Sequence, residues 1–138
     1  MATIITAREA IYDHFLTNYV ALPSARIDAD NEDFTPPTEQ SWARLSVRHL
    51  GSVQESLGGV GFRKFDRFGS CFVQIFIPLN DGVSEADTLA QAVITLLEGT
   101  SLSGNTIRFT NSQIRELGVE NGWYVLVVET FFSYTETK

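Results

Sequence analysis

The chain has 138 residues, a length that suits one compact domain able to bury about two-thirds of its unfolded surface. Hydrophobic residues make up 43%, aromatics 12% and charged residues 20%; this is too apolar for disorder, and no apolar run approaches the ~20 residues that span a bilayer. The net charge of −7, seventeen acids against ten bases, argues against a protein that grips nucleic acid, because such binding rests on phosphate neutralisation by Lys and Arg. A single cysteine, Cys71, allows no intramolecular disulfide and fits a reducing compartment. Met1 to Glu9 carries no charged segment followed by a long apolar core, so no secretory signal is expected.

In chain order, Ala7 to Tyr19 has helical spacing, with Thr6 and Glu9 as an expected capping box. Pro23 to Gln40, rich in Pro, Asp, Asn and Thr, reads as a long loop and a candidate interaction segment. Trp42 to His49 alternates as a half-buried strand, with Ala43, Leu45 and Val47 on one side and Trp42, Arg44, Ser46 and Arg48 on the other. Gly51 to Gly61 holds four glycines and reads as a flexible loop or arm. Phe62 to Pro78 is a further strand with a turn or bulge expected near Asp66 to Gly69, closed by the turn chemistry of Pro78 to Gly82. Ser84 starts the strongest helix, with Asp87 completing a capping box. Its apolar stripe is Ala86, Leu89, Ala90, Val93 and Leu97, and Gly99 stands at the C-terminal cap. Thr106 to Phe109 and Gln113 to Leu117 read as short strands, Asn121-Gly122 as a turn, and Trp123 to Tyr134 as a long last strand.

These elements predict one α+β domain over residues 1–138: a mostly antiparallel sheet of about five strands with two helices packed on one face. Both sides of that sheet are apolar. Cys71, Val73, Ile75 and Ile77 form a row suited to lie under the helices, and Phe72 and Phe76 stand on the opposite side. In the last strand Tyr124, Leu126, Val128 and Phe132 oppose Trp123, Val125, Val127 and Phe131. Two helices cannot cover both faces, so either the long loops or another subunit must cover the second.

No chemistry-bearing set emerges. Asp28, Asp30, Glu32 and Glu39 stand at positions 1, 3, 5 and 12 of a calcium-loop spacing. Asp33 replaces the required glycine, however, and Pro36 and Pro37 interrupt the exit, so the acids read as a solvated loop with at most an incidental cation. His14 and His49 are the available imidazole bases, and no serine lies in a nucleophile-elbow motif. Cys71 sits in an apolar strand row, where cysteines are usually inert, and one Cys with two His offers no zinc spacing. Gly58 to Gly61 lacks the Lys-Ser/Thr of a phosphate loop. The basic-aromatic run Phe62 to Phe68 suits an edge strand or arm better than a nucleic-acid platform. Catalytic, cofactor-binding and metal-binding residues are therefore all expected to be absent. Charge is unevenly spread: Asp28, Asp30, Glu32 and Asp33 cluster in one segment, and Arg44, Arg48, Arg63, Lys64 and Arg67 in another.

Three runs carry a resemblance. Asn31-Glu32-Asp33-Phe34-Thr35-Pro36-Pro37 is followed by Trp42-Ala43-Arg44; Arg67-Phe68-Gly69 by Val73-Gln74-Ile75-Phe76-Ile77-Pro78 and then Gly82 before a helix; and the chain closes on Phe131-Phe132-Ser133-Tyr134. In order and spacing, from about Ala7 to Tyr134, the chain resembles the tail terminator-like proteins of tailed bacteriophages. The resemblance implies a virion structural protein of a phage or prophage, assembled in the host bacterial cytoplasm. It would form a ring, typically a hexamer in this family, at the head-proximal end of the tail, with the tail-tube protein and the head-tail connector protein as partners, and without an enzymatic role, cofactor, membrane or sequence-specific nucleic acid. Such a ring needs heterologous contacts, which the acidic loop and the basic arm region would supply. Deleting Val53 to Gly59 is then expected to leave the fold intact and abolish ring formation or tail termination. A head-to-tail connector is the alternative; a small cytosolic enzyme or a binding module fits less well.

Overall fold

The computed structural model describes residues 3–29, 34–79, 82–102 and 106–138. The elements run α1 (Ile4–Asn18), a short 3₁₀ turn (Ser24–Arg26), β1 (Ile27–Ala29), β2 (Trp42–Gln54), β3 (Lys64–Pro78), α2 (Ser84–Leu97), β4 (Ser101–Leu102), β5 (Ile107–Glu120) and β6 (Trp123–Thr137). The six strands form one curled sheet in the order β1-β2-β3-β6-β5-β4. The sheet is mixed, because β1 runs parallel to β2 while the other pairings are antiparallel.

This corrects the expected fold of about five mostly antiparallel strands. Two strands, β1 and β4, are only three and two residues long, too short for alternation to show. The two short strands expected between Thr106 and Leu117 are one strand, β5. The Asn111-Ser112 pair that looks like a break is absorbed as a register shift between Phe109 and Ser112, and a second shift falls between Glu116 and Gly118. The bulge expected on β3 near Asp66 to Gly69 lies instead on the facing strand: β2 carries one extra residue between His49 and Gly51, and β3 is unbroken. Asn121 and Gly122 both take positive φ, 53° and 84°, which two-residue hairpins favour because that backbone matches the twist of the strands they join.

The helices begin differently from expectation. α1 starts one turn earlier, capped by Thr3, whose side chain accepts from the Thr6 N–H while the Thr6 hydroxyl accepts from the Thr3 N–H. Ile4 and Ile5 in this added turn are exposed, so the buried stripe of α1 begins only at Ala7. For α2, Val83 occupies the cap position without a side-chain bond, and Ser84 is already helical. Its five stripe residues are all buried, and Gly99 takes φ +72° just beyond the helix.

Both helices lie on one face. Ala7, Ile11 and Phe15 of α1 and the α2 stripe share a core with Ala43, Leu45 and Val47 of β2, with Cys71, Val73, Ile75 and Ile77 of β3, and with Leu126, Val128, Phe132 and Tyr134 of β6. The register explains this assembly. Val73 pairs with Leu45 and Val128, and Ile75 with Ala43 and Leu126, so one row of side chains crosses the sheet beneath the helices.

Candidate interaction surfaces

Three regions stand out: an arm, the uncovered sheet face, and a polar cluster at the arm's root. The arm is the far half of the β2–β3 hairpin. Gly51, Ser52, Val53 and Gln54 pair with Phe68, Arg67, Asp66 and Phe65, and the end of β6 adds a third strand through Lys64↔Thr137 to Phe68↔Ser133. An Arg67–Glu136 ion pair at 2.7 Å and a Thr135–Asp66 hydrogen bond at 2.7 Å tie β3 to β6. Of the stretch Gly51 to Gly61 expected as a loop or arm, residues 51–54 are strand and the backbone is irregular from 55 to 63, where Gly58, Gly59 and Gly61 lie. That tip is ordered by the Arg63 guanidinium, whose Nε donates to the Gly58 carbonyl at 2.9 Å, and it exposes Leu57, Val60 and Phe62.

The second sheet face is closed at one end only. Trp42 stacks on Phe76 with ring centroids 4.0 Å apart, meets Trp123 edge-on at 6.2 Å, and is capped by Phe34 at 5.3 Å. The Arg44 guanidinium lies over Trp42 and Phe76 at 5.4 and 5.6 Å, held by Asp28 at 3.0 Å. Loop residues therefore cover this end, as one of the two sequence-level accounts expected. A cleft of about 330 Å³ remains among Pro36, Phe76, Trp123 and Val125. It runs on through Arg44 and Gln74 into a cleft of about 420 Å³ that also touches Ser46, Arg48 and Phe72. The curl of the sheet buries Val125 and Val127 even without helices above them.

At the arm's root, elements far apart in sequence converge. An Arg8 Nη from α1 donates to the Val47 carbonyl at 3.2 Å and lies 3.5 Å from His49 Nδ1. The His49 ring stands edge-on to Phe132 and Tyr134. Arg8 Nε, His49 Nε2 and the Tyr134 hydroxyl are buried without a hydrogen-bond partner among the described residues. Burial, with the Arg8 and Arg67 guanidinia nearby, holds the His49 imidazole below its ordinary range, and burial pushes the Tyr134 phenol up. Folded His49 therefore resists a proton that the unfolded chain accepts. The unfolded state binds more protons as pH falls through the normal histidine range, so stability present above that range is lost below it. Urea midpoints measured from pH 7 down to pH 5 are expected to fall less steeply for His49→Gln than for the wild type; equal slopes would refute the assignment.

The other residues considered for chemistry are scattered. His14 sits on α1 with Nε2 3.4 Å from the Leu96 carbonyl and Nδ1 3.3 Å from the Asn18 amide, far along the helix from Arg8. Cys71 is fully buried under the helices. Asp28 is engaged by Arg44 and Glu39 is exposed, while Asp30, Glu32 and Asp33 lie outside the described residues. Among the described residues no three His, Cys, Asp or Glu side chains come together as a metal site. No described helix is long and apolar enough to cross a membrane. The basic cluster of the sequence divides: Arg44 and Arg48 face the uncovered side, Arg67 is paired with Glu136, and Arg63 and Lys64 reach the arm tip. Sequence reasoning missed the Arg8–His49–Tyr134 cluster, since only the tertiary pairing joins its members. It also missed the Trp42–Phe76–Trp123 stack, whose members are aligned by strand register.

No curated protein matches the chain. Among solved structures, one with 17% identical residues superposes with a TM-score of 0.73 over 97% of this chain and 96% of that one, which shows a shared fold. The model of the family described as phage tail terminator protein matches residues 6–129, a span that takes in most of α1, all of α2, the β2–β3 hairpin and the uncovered face. The chain belongs to the phage tail terminator protein family.

Proposed function

We propose that this protein, a structural component of a phage tail, caps the head-proximal end of the tail tube. Six copies form a ring there that ends tube polymerisation and presents the surface to which the head connector joins. The family match over residues 6–129 carries this reading. Its physical support is a shape built for contact: an ordered arm with an apolar tip, and a grooved second face lined by Trp42, Arg44, Phe72 and Phe76. Exposed apolar side chains grouped together, as Leu57, Val60 and Phe62 are at the arm tip, mark sites of association on a small protein. A ring requires two different patches on each subunit, and these surfaces provide distinct ones.

The test is electron microscopy of particles from cells in which the gene is deleted. Tails of uncontrolled length, many times the normal length, are expected, with normal length restored by the gene in trans. Tails of normal length without heads would assign the protein to the connector instead. Normal virions would exclude both roles.

A further inference from the structure

Charge runs along the strands with a direction. At the arm end lie Arg63, Lys64 and Lys138 against Glu55 and Asp66, since Arg67 is neutralised by Glu136 and, among the described residues, Asp66 is bound only by the Thr135 hydroxyl. At the other end, where the β5–β6 turn and the start of α2 lie, Glu85, Asp87, Glu116 and Glu120 are exposed, and the one basic residue among those of β5 there, Arg115, pairs with Val127 on the opposite face from Glu116. Each end also carries bare apolar side chains. At the arm tip Leu57, Val60 and Phe62 are 96%, 83% and 78% exposed, and on β5 Ile114, Leu117 and Val119 are 49%, 45% and 69% exposed.

The β5 site has a reason to be open. β4 pairs only with Ile107 and Arg108, so beyond that point the outer edge of β5 has no strand beside it among the described residues. Ile114 and Val119 pair with Val128 and Tyr124, which places them on the helix face of the sheet. Among the described residues no helix covers them there. An open edge flanked by apolar side chains readily receives another chain segment.

We propose that the arm tip of one copy docks on the β5 edge of the next, with Leu57, Val60 and Phe62 against Ile114, Leu117 and Val119, and Arg63 and Lys64 beside Glu116 and Glu120. The occupant is a second copy because both patches are apolar and the basic pair Arg63 and Lys64 is opposite in sign to Glu116 and Glu120. They lie at opposite ends of the strands and toward opposite edges of the sheet, so each docked copy still offers a free tip and a free edge. Such a contact is heterologous and propagates until a ring closes. The inference rests on the self-association in the proposed function and names the surfaces that carry it.

The experiment places Val60→Cys and Val119→Cys together in the full chain and adds a short bis-maleimide. The native Cys71 is fully buried and stays unreactive. In isolated tails or in concentrated protein, the double variant is expected to give a ladder of linked copies. An equal mixture of the two single variants should stop at dimers, and either single variant alone should stay monomeric. Absence of linkage in both preparations overturns the proposal, as does equal linkage by Val60→Cys alone. As a second measurement, Lys64→Glu should lower the linkage yield at least tenfold and Glu120→Lys in the same chain should restore it; no rescue, as a tip bound to the tube would give, also overturns it. Linkage reads contact between copies whatever the tail length, so this inference and the capping role fail separately.

Discussion

Replacing Gly69 by alanine is expected to destabilise the protein by about 3 kcal/mol, the upper range for forcing atoms into a packed interior. Gly69 lies mid-way along β3, between His49 of β2 and Phe132 of β6. A Cβ there would stand 2.2 Å from the Arg48 carbonyl oxygen and 2.7 Å from Phe132 Cζ. Neither neighbour can yield cheaply. The carbonyl belongs to β2 next to its register shift, and the Phe132 ring is buried among Phe109, His49 and Tyr134. Gly59→Ala is the control, because its added methyl meets nothing within 4 Å and should change stability by less than about 0.5 kcal/mol. Urea unfolding midpoints decide the matter; a Gly69→Ala protein as stable as the control variant would show that β2 can shift. The requirement also gives the Arg67-Phe68-Gly69 run a physical cause: at this position the ladder and the aromatic core leave no room for a side chain.

The contrast between Gly69 and α2 shows what a sequence makes legible. The α2 stripe, the positive φ of Gly99 and the Asn121-Gly122 turn depend on residues within a few positions of one another, so spacing alone located them. The apolar row from Cys71 to Ile77 was legible for the same reason, because alternation is local. What failed was everything set by partners distant in sequence. β1 is a strand only because Ile27, Asp28 and Ala29 find Ala43, Arg44 and Leu45 alongside, and nothing in Ile-Asp-Ala announces it. The pairing of Asp28 with Arg44 likewise changes the meaning of the acidic and basic segments. Their separation fits either two solvated surfaces or complementary surfaces of neighbouring subunits, and part of the complementarity is satisfied within one chain. Of the basic segment, Arg48, Arg63 and Lys64 make no ion pair among the described residues, and of these Arg63 and Lys64 lie at the arm tip. Register also explains why a face with Trp42, Phe76 and Trp123 could be counted as apolar from sequence but not recognised as a stack.

Replacing residues 56–63 by Asn-Gly is expected to abolish control of tail length while leaving the fold in place. The Glu55 N–H donates to the Lys64 carbonyl at 2.7 Å, so these two residues already face each other as the ends of a hairpin. Asn-Gly adopts the paired positive φ values that the same dipeptide shows at Asn121 and Gly122. Deleting Val53 to Gly59, the cut suggested by the glycine pattern, would instead remove the Val53↔Asp66 and Gln54↔Phe65 pairs and damage the arm's own ladder. The shorter replacement sacrifices the Arg63–Gly58 bond and the backbone pairing of Arg63 with Lys138. Those are exposed interactions, so a stability change of no more than about 1 kcal/mol is expected. The tip's apolar side chains bury almost nothing within the subunit, and their removal should be neutral for folding. Their exposure in an otherwise well-packed protein makes sense if assembly covers them. Thermal unfolding at nearly the wild-type temperature, together with tails that run on past their normal length, is the expected pair of results. Tails of normal length from this variant would show that the arm tip has no part in termination.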